Sequence, residues 1–134
     1  MLSSHRASLT AWLLPLALLL AAPALKAQTK ADLPAGVTQQ MIDDGAKIFK
    51  GKGICTACHG PDAKGLKGMG ANLTDDQWLH SKGSYEEIVK QIQDGVPGNV
   101  STTKVVMPPK GGGGISEAEI KSVAAYVWSL SHKS

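Results

Sequence analysis

Apolar positions along the chain form one unbroken run near the start and, further on, several spaced sets. From Leu9 to Leu25 almost every residue is apolar, with His5 and Arg6 ahead of the run and small residues behind it. That order of charged, apolar and small-residue regions is the pattern of a secretory signal peptide. Residues 1–27 are therefore read as a cleaved leader, with the cut after Ala24 or Ala27. The run falls short of the roughly 20 apolar residues a spanning helix needs, and Pro15 stands at its centre. Both points weigh against an uncleaved membrane anchor. Residues 28–37 form a polar stretch ending in Leu33-Pro34-Ala35-Gly36, and residues 38–134 are read as one domain.

Within that domain the apolar spacing is helical rather than alternating. Residues 38–50 (TQQMIDDGAKIFK) set Met41, Ala46, Ile48 and Phe49 among charges, with Thr38 as the cap. Thr74 and Gln77 make a capping-box pattern, which predicts a short helix over DDQWLH. Ser84 and Glu87 repeat it for YEEIVKQIQD, with Gly95 as the stop. Ser116 and Glu119 do so again for a last helix near 117–131, where Ile120, Val123, Ala124, Val127 and Trp128 recur at helical spacing. Between these lie glycine-rich loops, 60–73 and 95–115, the second containing Gly111 to Gly114. Their glycines lack the spacing of a phosphate-cradling loop and read as flexible surface connections. No alternating run is long enough for a strand and no internal repeat is visible, so the fold class is all-α.

Composition changes that picture in two ways. Loss of residues 1–27 removes Arg6 and Lys26, leaving twelve basic against eleven acidic residues, so the formal charge of +3 falls to +1. A balance so near neutral gives no case for nucleic acid or any other polyanion as partner. The chain of 134 residues less its leader of 27 leaves 107, enough for one domain but for a modest core. Only Phe49, Trp78, Tyr85, Tyr126 and Trp128 supply aromatic rings to it. Something other than side chains is expected to help fill the interior.

The stretch GICTACHG, residues 53–60, holds the chain's only cysteines, Cys55 and Cys58, with His59 directly behind them. A disulfide at this spacing closes too small a loop to restrain an unfolded chain, so it would be redox-active. That reading calls for a βαβ context which the helical pattern does not offer. A zinc site wants four ligands, and only His80 or His132 could join these three. The third reading, C-x-x-C-H haem attachment, employs every residue: two thiols add to the haem vinyl groups and His59 becomes an axial iron ligand. One covalent haem c would also supply the apolar filling that the side chains lack. For the sixth ligand, Met107 in VVMPPK lies far enough along to return across the other face, and Pro108 and Pro109 stiffen its backbone. Met41 is read as core, Met69 sits in a glycine loop ten residues after His59, and His80 and His132 read as exposed helix-end residues.

With these residues in view, GAKIFKGKGICTACHG, ANLTDDQWLH, VVMPPKGGGGISEAEI and VAAYVWSL resemble the monohaem class I c-type cytochromes over residues 38–131. The middle motif is similar to haem domains in subunits of high-affinity haem-copper oxidases. The resemblance implies a compact helical fold around one haem c, His59 and Met107 as iron ligands, and Trp78 near a haem propionate. It implies a crossing of the first and last helices where Gly45 and Phe49 meet Tyr126, and electron transfer as the activity. The chain departs from the pattern in one place. Class I domains have a proline whose carbonyl receives the proximal histidine's ring proton, whereas here the segment reads GMGANL, with Gly70 and Ala71.

Two functions follow as expectations. The first is a periplasmic one-electron carrier, a monomer or a subunit of a complex, without a membrane span after cleavage, serving a membrane oxidase or a periplasmic dehydrogenase. The second is a haem enzyme or gas sensor with an open iron face. Peroxidase-like chemistry is disfavoured because no arginine remains beyond residue 27. Lys50, Lys52, Lys64, Lys67, Lys104 and Lys110 are candidates to ring the haem edge and guide an acidic partner, with a solvated face as the alternative.

Overall fold

A computed structural model describes residues 33–132. The signal-peptide reading of residues 1–27 and most of the polar stretch after it lie outside the described residues.

Among the described residues four helices appear in order: α1 (Gln39–Lys50), α2 (Thr56–His59), α3 (Tyr85–Asp94) and α4 (Glu117–Ser131), with a tight turn at Pro109–Gly112 before the last. No strand occurs among the described residues; two isolated antiparallel bridges, Leu66 with Gly70 and Val96 with Met107, are the extent of extended pairing. Three N-termini begin where the caps predict. Thr38 Oγ1 accepts from Met41 N at 3.2 Å and opens α1. In α3, Glu87 N donates to Ser84 Oγ at 3.3 Å while Ser84 N donates back to Glu87 Oε2 at 3.3 Å. Ser116 and Glu119 make the same reciprocal pair at the head of α4. Each pair satisfies amide groups that a helix start leaves without partners.

The capping box expected at Thr74 and Gln77 does not form, and DDQWLH is a series of bends. Thr74 Oγ1 donates to Asn72 Oδ1 at 2.8 Å, and Thr74 N donates to the same oxygen at 2.9 Å. Gln77 N is taken by Asp75 Oδ1 at 3.1 Å. Short polar side chains have thus folded onto the local backbone as turns, the conformation that competes with a helix.

α1 and α4 cross at Gly45. A side chain there would run into the backbone of Ser122, its carbonyl carbon 2.5 Å away, and into Tyr126 Cβ at 2.9 Å. Only hydrogen lets the two axes approach so closely. One turn on, the buried Phe49 ring meets Tyr126 edge-on, with ring centres 5.4 Å apart. α3 lies against α4 through Ile88 and Ile92, and Tyr85 donates its hydroxyl to the Lys121 carbonyl at 3.3 Å. Phe49, Ile88, Ile92, Ile115, Ile120, Val123, Ala124 and Val127 form the core. Met41 is half-buried and stands outside that cluster, contrary to its reading as core.

Candidate functional site

The site is built outward from the end of α1. Gly51 and Gly53 turn the chain by donating to Ile48 O at 3.2 and 2.9 Å, and Ile54 follows with φ 56°, unfavourable for a β-branched residue. The turn delivers the chain into α2, a single helical turn with Cys55 as its N-cap residue, so that Cys58 and His59 stand three and four residues after Cys55 and share its side. Both thiols are free and half-buried. Burial raises the Cys55 pKa, so the group is held as a thiol, and its Sγ donates to Gly53 O at 3.3 Å.

His59 Nδ1 stands 2.9 Å from the Ala71 carbonyl and donates to it. A neutral imidazole with Nδ1 so engaged keeps its free lone pair on Nε2, the arrangement a metal-binding histidine requires. Burial lowers the His59 pKa, with the Ala71 bond acting in the opposite direction. The proton acceptor that class I domains take from a proline is here the carbonyl of Ala71. Its place is fixed by the folded-back loop, where Gly65 N donates to His59 O at 2.8 Å and Leu66 N to Cys58 O at 3.1 Å. Gly70 packs against the Cys58 backbone so tightly that a Cβ would stand 2.6 Å from the Cys58 carbonyl carbon.

Met107 is fixed from the other end of the chain. Val96 and Met107 exchange backbone hydrogen bonds at 2.8 and 2.9 Å, pinning the methionine's segment to the end of α3. Gly95, at φ 70°, has room for no side chain, since a Cβ would meet Met107 O and stand 2.8 Å from Pro108 C. Thr103 Oγ1 donates to Met69 O at 3.2 Å and ties the two loops together. The expectation that the glycine loops are flexible surface connections is therefore corrected. Gly111 and Gly113 also press on the Lys52–Gly53 backbone beside Cys55.

These segments line an open cleft. Cys55, Cys58, His59, Trp78 and Met107 all line it, as do Met69, His80 and Gln91, with Phe49, Ile88, Ile92, Val123 and Val127 among its apolar walls. Met41 and His132 are not part of the lining; the His132 ring stacks on Trp128 at 4.3 Å. No lysine lines it either. Lys52 and Lys110, two of the six proposed to ring an edge, are paired instead with Glu119 at 2.7 Å and Glu117 at 3.2 Å. The rim is apolar: Ile54, Leu79 and Val106 are 52%, 49% and 54% exposed. Sequence reasoning did not single out Gln91 or the short helix α2, and it named Ala71 only as part of the segment that lacks the usual proline.

A planar, largely apolar group with two vinyl substituents fits this cleft, since free thiols, a histidine with one nitrogen already occupied and greasy walls are what haem c requires. The fold and the cleft make the chain a monohaem c-type cytochrome, a class that carries haem c covalently. The chain belongs to the family described as cytochrome c oxidase, cbb3-type, subunit III, which matches residues 40–127, well over half of its length. It is 40% identical over 92 residues to the cbb3-type cytochrome c oxidase subunit CcoP of Rubrivivax gelatinosus, covering 69% of this chain and 27% of that one. With the cbb3-type oxidase subunit FixP of Rhizobium etli it shares 33% identity over 111 residues, 81% of this chain and 37% of the relative. The chain thus matches between 27% and 37% of the length of these two curated relatives. The crystal structure of cytochrome CL from Methylophaga aminisulfidivorans superposes with a TM-score of 0.54 at 23% identity, over 71% of this chain and 56% of that one, a likeness of fold. Among the described residues no helix is long and apolar enough to cross a membrane.

Proposed function

We propose that the chain is a periplasmic electron-transfer protein that accepts and releases one electron on a haem c joined by thioethers to Cys55 and Cys58 and ligated by His59 and Met107. The observation that carries this reading is the convergence of α2 and the Met107 segment on one cleft. When bound, the haem would supply reversible one-electron exchange between Fe(III) and Fe(II), with His59 and Met107 the residues that would hold its iron. The chain's own residues supply the rest. The Ala71 carbonyl holds the His59 ring and strengthens its Nε2 as a donor. The Val96 pairing and the two prolines that follow hold Met107 in place. Trp78 lines the cleft with Gly83 packed against its indole, which supports its reading as a neighbour of a haem propionate.

The family supports a membrane oxidase as the redox partner, with a periplasmic dehydrogenase as the other candidate, and the pattern of residues 1–27 supports export. The alternative of an open iron face for catalysis or gas sensing has little to work with: besides His59 the cleft offers one histidine, His80, and no arginine. The test is the oxidised protein's weak far-red band from sulfur to iron, which Met107→Ala should abolish while opening the reduced iron to carbon monoxide. Native protein that lacks the band and takes up carbon monoxide at once would overturn methionine ligation. Haem that leaves the protein in acid acetone would overturn the thioethers.

A further inference from the structure

Among the described residues, two ion pairs join the walls of the cleft to a single turn of helix. Lys52 stands three residues before Cys55, and its Nζ meets Glu119 Oε1 at 2.7 Å. Lys110 stands three residues after Met107, and its Nζ meets Glu117 Oε1 at 3.2 Å. Both carboxylates belong to the first turn of α4. The pairs Lys47 with Asp44 and Lys90 with Asp94, by contrast, each lie within one helix and join nothing.

An exposed ion pair contributes little on its own, because water screens it and two long side chains must be ordered to make it. These two are reinforced. Glu119 also closes the capping box of α4, with Ser116 N donating to its Oε2 at 2.9 Å. Glu117 accepts from Gln93 of α3 through its second oxygen, so one carboxylate joins α3, α4 and the turn after Met107. Both carboxyls are held below their ordinary range, Glu117 by Gln93 ahead of Lys110 and Glu119 by Lys52 ahead of Ser116. Packing adds to the pairs. A Cβ on Gly111 would stand 2.8 Å from Gly53 O, the acceptor of Cys55 Sγ, and one on Gly113 would stand 3.2 Å from Gly53 Cα. The chain leaving Met107 therefore rests on the chain entering Cys55. Lys110 itself has φ 58°, a left-handed conformation that a residue with a side chain keeps only where its surroundings hold it.

We infer that the first turn of α4 is the clamp that keeps Met107 on the iron, with Glu117 and Glu119 as positioning residues acting through Lys110 and Lys52. This rests on Met107 being the sixth ligand. Neither carboxylate lines the cleft, so each acts through the segment it holds. Glu119 fixes the segment that carries the thioethers, and Glu117 fixes the segment that carries the sulfur. Their separation is set by one rigid turn of helix. Loss of either pair lets the Met107 segment swing outward, and an added ligand reaches the iron more often. Lys52 and Lys110 are accordingly internal struts rather than charges held out to an acidic partner.

The experiment measures carbon monoxide uptake by the reduced, haem-loaded protein, which requires the sulfur to leave first, beside the far-red band of the oxidised form and Tm. It compares native protein with Lys110→Glu, Glu117→Lys and the double exchange that carries both. Each single reversal should weaken the band and speed uptake about two- to fivefold, the factor that one exposed ion pair supplies. The double exchange restores attraction with the signs swapped and should return uptake towards the native rate. Lys47→Glu, which breaks a pair inside α1, should leave uptake unaltered. Single reversals that lower Tm yet take up carbon monoxide at the native rate reduce the pairs to scaffolding and overturn the clamp. A double exchange as fast as the single reversals overturns it too. Absence of the band from native protein overturns methionine ligation itself, which is a separate failure. Should the reversed variants not fold, salt decides the matter in native protein. Between ~0.01 M and ~1 M the screening length falls from about 30 to about 3 Å. Uptake that quickens over that range supports the clamp, and a constant rate overturns it.

Discussion

Replacing Gly45 by alanine sets two effects of opposite sign against each other. In a helix interior alanine is favoured over glycine by about 0.8–1.0 kcal/mol, so propensity alone predicts a more stable protein. The crossing predicts the reverse. The added methyl would overlap the Ser122 backbone and lie 2.9 Å from Tyr126 Cβ. Backbone atoms cannot rotate aside, so α4 must move as a body, placing the cost near the upper end of the roughly 1–3 kcal/mol typical of overpacking. The same movement loosens the edge-on pair of Phe49 and Tyr126, an arrangement worth about 0.5–1.5 kcal/mol. After the propensity gain is subtracted, roughly 2–3 kcal/mol of destabilisation remains. For a domain of this size that lowers Tm by about 10–20 °C. Thermal unfolding of haem-loaded protein, followed by far-ultraviolet circular dichroism, measures it. Gly45 itself does not line the cleft, but Val123 and Val127 of α4 do, so a small shift of the haem spectrum should accompany the movement. A Tm equal to or above that of the native protein would refute the close crossing.

Gly95→Ala should cost about 1–3 kcal/mol for the extended, positive-φ backbone alone, and more for the collision with Met107 O. A lowered denaturation midpoint accompanied by a shifted far-red band is the expected result; a native band and midpoint would contradict the packing of Gly95 on Met107. Glu119 has its pKa lowered to about 2, chiefly by the Lys52 hydrogen bond and then by Ser116. A carboxylate depressed in the folded state stabilises above its ordinary value of 4.5 and loses that contribution as pH falls towards 2. The Tm difference between native protein and Glu119→Gln should therefore be full at neutral pH and close between pH 4.5 and 2, whereas a constant difference across that range would refute the pairing.

What the sequence reveals of this fold depends on the range of the interactions involved. Thr38, Ser84 and Ser116 mark helix starts correctly because a cap is settled within four residues. The same pattern misleads at Thr74, since Asn72 and Asp75 offer equally local partners that no periodicity weighs. The cysteines and His59 are legible because the chemistry confines them to one helical turn, although α2 itself is too short to show a period. Met107 can be nominated but not placed, for its position depends on pairing with Val96, eleven residues away. The Ala71 carbonyl has no side-chain signature, as any residue at that point has a carbonyl. Gln91 is an ordinary polar letter on an amphipathic helix until its surroundings are known.

The run from Gly111 to Gly114 shows what a repeated letter conceals. At Gly114 a Cβ would meet nothing within 4 Å, and the backbone asks for no glycine. Gly113 has an ordinary backbone but no space, its place being taken by Lys52 and Gly53. Gly112 has a left-handed backbone, and Gly111 combines that with a crowded site, where a Cβ would stand 2.8 Å from Gly53 O. A stretch that would be dismissed as low-complexity filler thus carries four unequal amounts of information. Selection acting on this protein is free to rewrite one of its positions and is held, for separate reasons, at the other three.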